Sequence, residues 1–269
     1  MRRLVMLLAL TLCLGGCGSE DTGNLRDRVD ELEQRARAKA DELRSRFEQI
    51  LDEIERAIPE ARETSPDVRR GEEDVEAFLT TIVQNIHAYW QQTLRENGLP
   101  EPRVFYVWVP PGRVAQSACG PAGDDAAFYC SGDDTIYVSQ AFAGALWNGV
   151  LRGLPGDGRA AGDFGVAYVV AHEYGHNLQH EFGVFDQFRG PTVRPLELQA
   201  DCFAGTWGNS VYRQGLLEPG DIEEAIGTAL AVGDFDTNNQ QHHGTPDERR
   251  AAWLRGFESG RPSDCTLGT

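Results

Sequence analysis

Positive charge is scarce in this chain. Its 269 residues carry 42 aspartates and glutamates against 25 lysines and arginines, a formal net charge of −17. Such a polyanion repels phosphate backbones, which argues against nucleic acid as a partner. Lysine itself is nearly missing, with Lys39 alone among arginines. We read that bias as the codon usage of a G+C-rich genome. The most apolar stretch, Leu4 to Leu14, falls well short of the roughly 20 residues a membrane-spanning helix needs. Internal repeats are absent, so a solenoid is excluded. What remains is globular in composition, 41% apolar and 25% charged, with chain enough for one domain plus accessories or two small ones. The 30 glycines predict long loops.

The N-terminus reads as an address. Met1-Arg2-Arg3 precedes the apolar run, which has the length of a signal-peptide core. The run ends in Leu14-Gly15-Gly16-Cys17, which resembles the bacterial lipobox. That resemblance implies a signal peptide over 1–16, cleavage before a lipidated Cys17, and a tether over 17–24. An exported protein anchored to the cell membrane on its extracytoplasmic face follows. The alternative is an ordinary secretory signal with a chance cysteine. Cys13 would leave with the signal, so Cys119, Cys130, Cys202 and Cys265 remain. Four cysteines in an oxidising compartment allow three connectivities. We expect Cys119–Cys130, closing a Gly/Asp-rich loop, and Cys202–Cys265, tying the C-terminal tail to the core.

From Leu25 to Ile58 apolar residues recur at spacings of three and four, one stripe of an amphipathic helix. Lys39, Arg46 and Glu53 interrupt strict heptads, so a long coiled coil is not assured. A helical stalk over 25–65 is the reading, with a partner-binding helix as the alternative. A domain over 72–265 follows. Val75 to Trp90 carries a second helical pattern, Arg103–Val109 reads as a strand stopped by Pro110-Pro111, and Thr135–Val138 as another strand. A short helix near Gln140–Val150 and a glycine-rich loop, Gly153–Gly162, come next.

His172-Glu173-Tyr174-Gly175-His176 is H-E-x-x-H. Phe164, Ala167, Tyr168 and Ala171 give the segment an apolar helical face, and Asp163 suits an N-cap. Residues four apart on a helix differ by about 40° in direction and ~6 Å in height, so two imidazoles can converge on one metal. Glu173 lies about 100° round, able to reach a water at the metal without ligating it. Chance produces the motif in on the order of one chain in a hundred of this length, so a third ligand must decide. The metzincin pattern would need glycine and histidine at Gln179 and Phe182, and fails. Downstream, Glu197-Leu-Gln-Ala-Asp201 puts two carboxylates on one face of a second helical run reaching Trp207. Glu197 is the candidate third ligand, and Asp201 can accept the free N–H of a ligating histidine. Cys202 points about 140° away from Glu197, as a structural disulfide requires. His180 is not needed as a ligand, because two histidines and one glutamate already leave one open position. His87 reads as a partly buried structural histidine.

Together these residues resemble the glutamate-zincin arrangement. Ala171–Leu178 with Glu197–Trp207 resembles the bacterial neutral zinc metallopeptidase family. So do Val75–Thr81, Cys119-Gly120, Phe128–Cys130, Ile136-Tyr137, Gly162–Phe164 and the tail from His243 to Gly260. The likeness covers roughly residues 72–265 and leaves out the lipobox and the stalk. The segment His180–Pro195 looks shorter than is usual in the family. The resemblance implies an α+β, mostly helical, zincin-like domain with a small sheet, holding one zinc ion and hydrolysing peptide or protein substrates. Such proteins offer an extended peptide a strand edge, which we place around Thr135–Val138. In the tail, His243 followed six residues later by Arg249 resembles a motif of membrane zinc peptidases that process prenylated proteins. Either residue could stabilise an oxyanion; equally, both could serve an N-cap loop and pair with carboxylates. His242 is the neighbour that could be confused with His243.

The expected chemistry is metal-assisted peptide hydrolysis, with zinc on His172, His176 and Glu197 and with Glu173 as general base. Two rival readings keep the anchor but not the catalysis. In one, zinc staples two helices of an envelope lipoprotein. In the other, the stalk carries an interaction role.

Overall fold

The computed structural model describes residues 72–150, 162–233 and 239–267. The lipobox, Cys17, the amphipathic stripe and most of the glycine-rich loop lie outside the described residues. Helix α1 (Glu72–Glu96) opens the domain, and its apolar stripe Leu79, Val83, Ile86, Trp90 and Leu94 is buried at spacings of three and four. Trp90 meets Phe203 edge-on at 5.3 Å between ring centres. Asn85 accepts the Trp207 indole N–H at 2.8 Å.

Five short strands follow: β1 (Phe105–Val109), β2 (Ala115–Ser117), β3 (Gly120–Ala122), β4 (Ala127–Cys130) and β5 (Thr135–Ser139). β2 and β3 form a hairpin, while the other three make one sheet in the order β1-β5-β4. β5 is the central strand, buried along its whole length, with β1 parallel on one side and β4 antiparallel on the other. The expected edge at Thr135–Val138 is therefore corrected, because both flanks of β5 are already paired. The edges of this sheet are β1 and β4. Ser139 N–H donates to Ala126 O at 2.7 Å, which sets the alternation of the ladder. Ala127 and Tyr129 consequently turn their backbone groups away from β5.

Ser139 ends the sheet and starts α2 (Gln140–Trp147), its hydroxyl accepting from Ala141 and Phe142 N–H. Helix α3 (Asp163–Glu181) carries the H-E-x-x-H motif and is buried on nearly every face. Asp163 is the first residue of the helix and not the N-cap that the sequence predicts. Gly162 occupies that position, and Glu224 supplies the missing acceptor from another helix, taking Phe164 N–H at 3.0 Å. A single turn, α4 (Val184–Gln187), then leads to α5 (Arg194–Arg213), α6 (Asp221–Val232), α7 (Pro246–Ser259) and a final 3₁₀ turn, Pro262–Asp264. The result is the mostly helical α+β architecture with a small sheet that the sequence predicts. Among the described residues, no helix is long and apolar enough to cross a membrane.

Two close backbone approaches bring the helices together. A Cβ on Gly175 of α3 would lie 2.9 Å from Ala200 Cα of α5. Cβ atoms on Gly205 and Gly256 would strike the Trp253 and Cys202 carbonyl oxygens, so α5 and α7 also touch backbone to backbone. Both expected disulfides are formed, Cys119–Cys130 and Cys202–Cys265.

Burial raises the Glu224 carboxyl to about 7, with Asp163 and Asp221 adding to the effect. A carboxyl held above its unfolded value of 4.5 favours the folded state only while protonated. That contribution is complete below pH 4.5 and is lost as pH rises through about 7. Glu224→Gln keeps an acceptor for Phe164 and removes the charge. In urea denaturation it is expected to be more stable than wild type at pH 8 and equal to it at pH 4. Equal stability at pH 8 would contradict this assignment.

Candidate metal centre

His172 and His176 stand one turn apart on α3, with ring centres 4.8 Å apart. Glu197, in the first turn of α5, faces both. Its Oε2 is 3.2 Å from His172 Nε2 and its Oε1 is 3.4 Å from His176 Nε2. One ligand atom from each residue lies within 4.8 Å of the others, so the three could hold one ion. The Gly175–Ala200 contact is what makes this possible: it sets α3 against α5 between the two histidines.

The opposite ring nitrogens are both engaged. His172 Nδ1 lies 2.8 Å from Asp201 Oδ1, and His176 Nδ1 lies 2.8 Å from Gln179 Oε1. Gln179 donates its amide to Leu196 O and Gln199 Oε1, at 2.8 and 3.1 Å, so its oxygen is left to accept. An ionised Asp201 can only accept. Both imidazoles therefore carry a proton on Nδ1 and turn Nε2 toward Glu197. Asp201 stands where the sequence reading put it. Gln179 was missed, although a glutamine three residues beyond His176 on a buried face was a usable signal.

The charge distribution calls for a cation at the point these groups share. Burial alone would lower the His172 pKa, but Asp201 and Glu197 reverse that and bring it to about 9. His176 is likewise raised by Glu197 against the effect of burial. Burial would raise Glu197, yet the two imidazoles hold it well below the usual carboxylate range. Burial would raise Asp201 too, and Arg249 with His172 hold it at about 2. A divalent ion meets the same demand as the protons and competes with them. Two nitrogens and one carboxylate form a donor set that suits zinc and leaves one tetrahedral position open.

Glu173 is buried beside this group and does not belong to it. Its Oε2 accepts the Tyr129 backbone N–H at 2.8 Å, one of the groups that β4 turns outward. Burial raises its pKa, against the pull of the two histidines. A cleft of about 470 Å³ opens here, bounded by β4 and lined also by Phe142, Val169, Val232 and His243.

The tail residues separate. His243 is exposed on the cleft wall. Arg249 is 3% exposed and grips Asp201 with two nitrogens, at 2.8 and 2.9 Å. Its Nη2 is 3.9 Å from Glu197 Oε2. Thr245 and Glu248 make a reciprocal capping box at the start of α7, so the segment between His243 and Arg249 is a helix cap. His242 is buried. His180 lies outside the three-residue group, bonding the Tyr129 hydroxyl at 2.5 Å with Asp134 alongside at 3.6 Å. His87 pairs with the Tyr174 hydroxyl at 2.8 Å. In the 180–195 segment, Phe185 of α4 stacks on His180 and leans on His176, at 6.1 and 6.3 Å between ring centres.

The family described as "Putative neutral zinc metallopeptidase" matches residues 48–267, and the chain belongs to it. The protein named YpfJ of Escherichia coli strain K12, described as uncharacterized, is 33% identical over 223 residues, covering 72% of this chain and 71% of that protein. Rv2575 of Mycobacterium tuberculosis strain H37Rv, also described as uncharacterized, is 33% identical over 208 residues, covering 67% of this chain and 66% of its own length. No solved structure matches.

The Cys202–Cys265 bridge sits next to Asp201, and Gln199 Nε2 donates to Cys265 O at 2.8 Å. The tail is thereby joined, through Gln199 and Gln179, to His176. With the cysteines 63 positions apart in sequence, closing the loop removes about 4 kcal/mol of unfolded-state entropy. Cys202→Ala with Cys265→Ala is expected to lower the unfolding free energy by about that amount in urea titration. An unchanged midpoint would contradict it.

Proposed function

We propose that this protein is a zinc-dependent metallopeptidase with a zincin-like site, held by a lipid on Cys17 to the extracytoplasmic face of the cell membrane. The 25–65 stripe is its stalk and 72–265 its working domain. One observation carries the enzymatic reading: two imidazoles held through Nδ1 turn their Nε2 atoms toward Glu197, while a buried carboxylate outside that group, Glu173, stands beside them. A zinc ion that merely stapled α3 to α5 would have no use for Glu173 there.

His172, His176 and Glu197 would hold one zinc ion. When bound, zinc supplies Lewis acidity, polarising the scissile carbonyl and lowering the pKa of water to about 7. Glu173 takes the proton of the attacking water on Oε1, since Oε2 is held by Tyr129 N–H, and passes it to the leaving amine. Its raised pKa suits both transfers, because a carboxylate nearer the working pH is a better base and a readier acid. The substrate is a peptide or protein segment in extended form, lying along the free edge of β4. There the outward backbone groups of Ala127 can pair with its main chain. His243 lines the same cleft, and we assign it to the developing oxyanion.

Glu173→Gln keeps the shape of the side chain and removes the base. The variant is expected to retain zinc, by elemental analysis, and to lose about 10²–10⁴-fold in kcat on a peptide library. Wild-type cleavage should stop with chelator and return with zinc. Undiminished cleavage by the variant, or cleavage indifferent to chelator, would overturn the reading.

A further inference from the structure

Arg249 enters the site from α7, 48 residues along the chain from Asp201, and every nitrogen of its guanidinium is engaged inside the protein. Nε donates to Asp201 Oδ2 at 2.8 Å and Nη2 to Oδ1 at 2.9 Å, the two-pronged grip that a lysine cannot reproduce. Nη1 donates to Val232 O at 3.4 Å. The same Asp201 Oδ1 accepts the Tyr168 hydroxyl at 2.5 Å and faces His172 Nδ1 at 2.8 Å. Asp201 is 0% exposed, so its carboxylate is held entirely by these side chains.

We infer that Arg249 and Tyr168 are positioning residues: they fix the Asp201 carboxylate in the one orientation that aims His172 Nε2 at the metal. Arg249 acts through Asp201 and through the contact of its Nη2 with the His172 ring, 3.2 Å from Nδ1 and 3.3 Å from Nε2. The inference rests on zinc binding at His172, His176 and Glu197. It also makes α7 part of the metal site, because the Gly205 and Gly256 contacts that seat α7 on α5 deliver the guanidinium.

The test uses the full-length protein and three readouts: zinc dissociation constant by chelator competition, visible absorption of the cobalt-substituted protein, and kcat. Arg249→Lys, which keeps the charge and loses the fork, is expected to weaken zinc binding about 10–100-fold, as loss of a ligand's hydrogen-bond partner does. It should also shift the cobalt bands. Asp201→Asn and the pair Asp201→Asn with Arg249→Met are expected to bind zinc nearly equally, because the two-pronged grip on an ionised Asp201 is lost in both and only the longer Nη2 contacts to His172 and Tyr168, at 3.2–3.4 Å, separate them. The pair buries no unmatched charge, so it reads the same coupling even where Arg249→Lys does not fold. Unchanged zinc affinity and cobalt spectrum in Arg249→Lys with a lower kcat would overturn the inference and make Arg249 an oxyanion donor. So would a loss of kcat alone on adding Arg249→Met to Asp201→Asn. A wild-type protein that binds no zinc defeats the peptidase reading itself, a result distinguishable from either of these.

Discussion

The contact of Gly175 with Ala200 governs the site. It lies inside the H-E-x-x-H motif, between the two histidines, and opposite the stretch of α5 between Glu197 and Asp201. A Cβ on Gly175 would lie only 2.9 Å from Ala200 Cα, so any larger residue there would force the helices apart. The geometry of the candidate metal group depends on that separation, since Glu197 and Asp201 sit on α5 and their imidazole partners on α3. The Gly205 and Gly256 contacts repeat the device between α5 and α7. Three helices are thus stacked by backbone contact, and the polar side chains between them inherit the precision of the backbone.

Around this frame each functional group has a second partner that fixes its orientation. His172 rests on Asp201, His176 on Gln179, and Glu173 on the Tyr129 amide. The last of these joins the sheet to the chemistry: the strand edge that would receive a peptide also holds the base. Sheet and helices therefore share the cleft as one unit. The Cys119–Cys130 bridge closes the end of β4 next to Tyr129, which keeps that edge in place.

Much of the site was legible from spacing, because spacing on a helix is direction. His172 and His176, and then Glu197 and Asp201, share faces at four-residue intervals, and the outward angle of Cys202 pointed to its bridge. What spacing could not show were partners from distant segments or from the backbone. The Tyr129 N–H has no side-chain signature, so its hold on Glu173 was invisible. Strands of three or four residues, as in β2, β3 and β4, give too few alternations to stand out, and the free edge was consequently assigned to β5. Glu224 caps α3 from 60 residues away, where local sequence pointed to Asp163. Arg249 was singled out, but the choice between oxyanion donor and carboxylate partner needed the packing of α7.

X-ray absorption at the zinc edge of the purified protein tests the central claim most directly. The account predicts one zinc per chain, with two imidazole nitrogens at about 2.0–2.1 Å and light oxygen scatterers completing the shell. The imidazole signal should be lost on replacing His172 and His176. A protein without zinc, a shell containing sulfur at about 2.3 Å, or an imidazole signal that survives those replacements would contradict it.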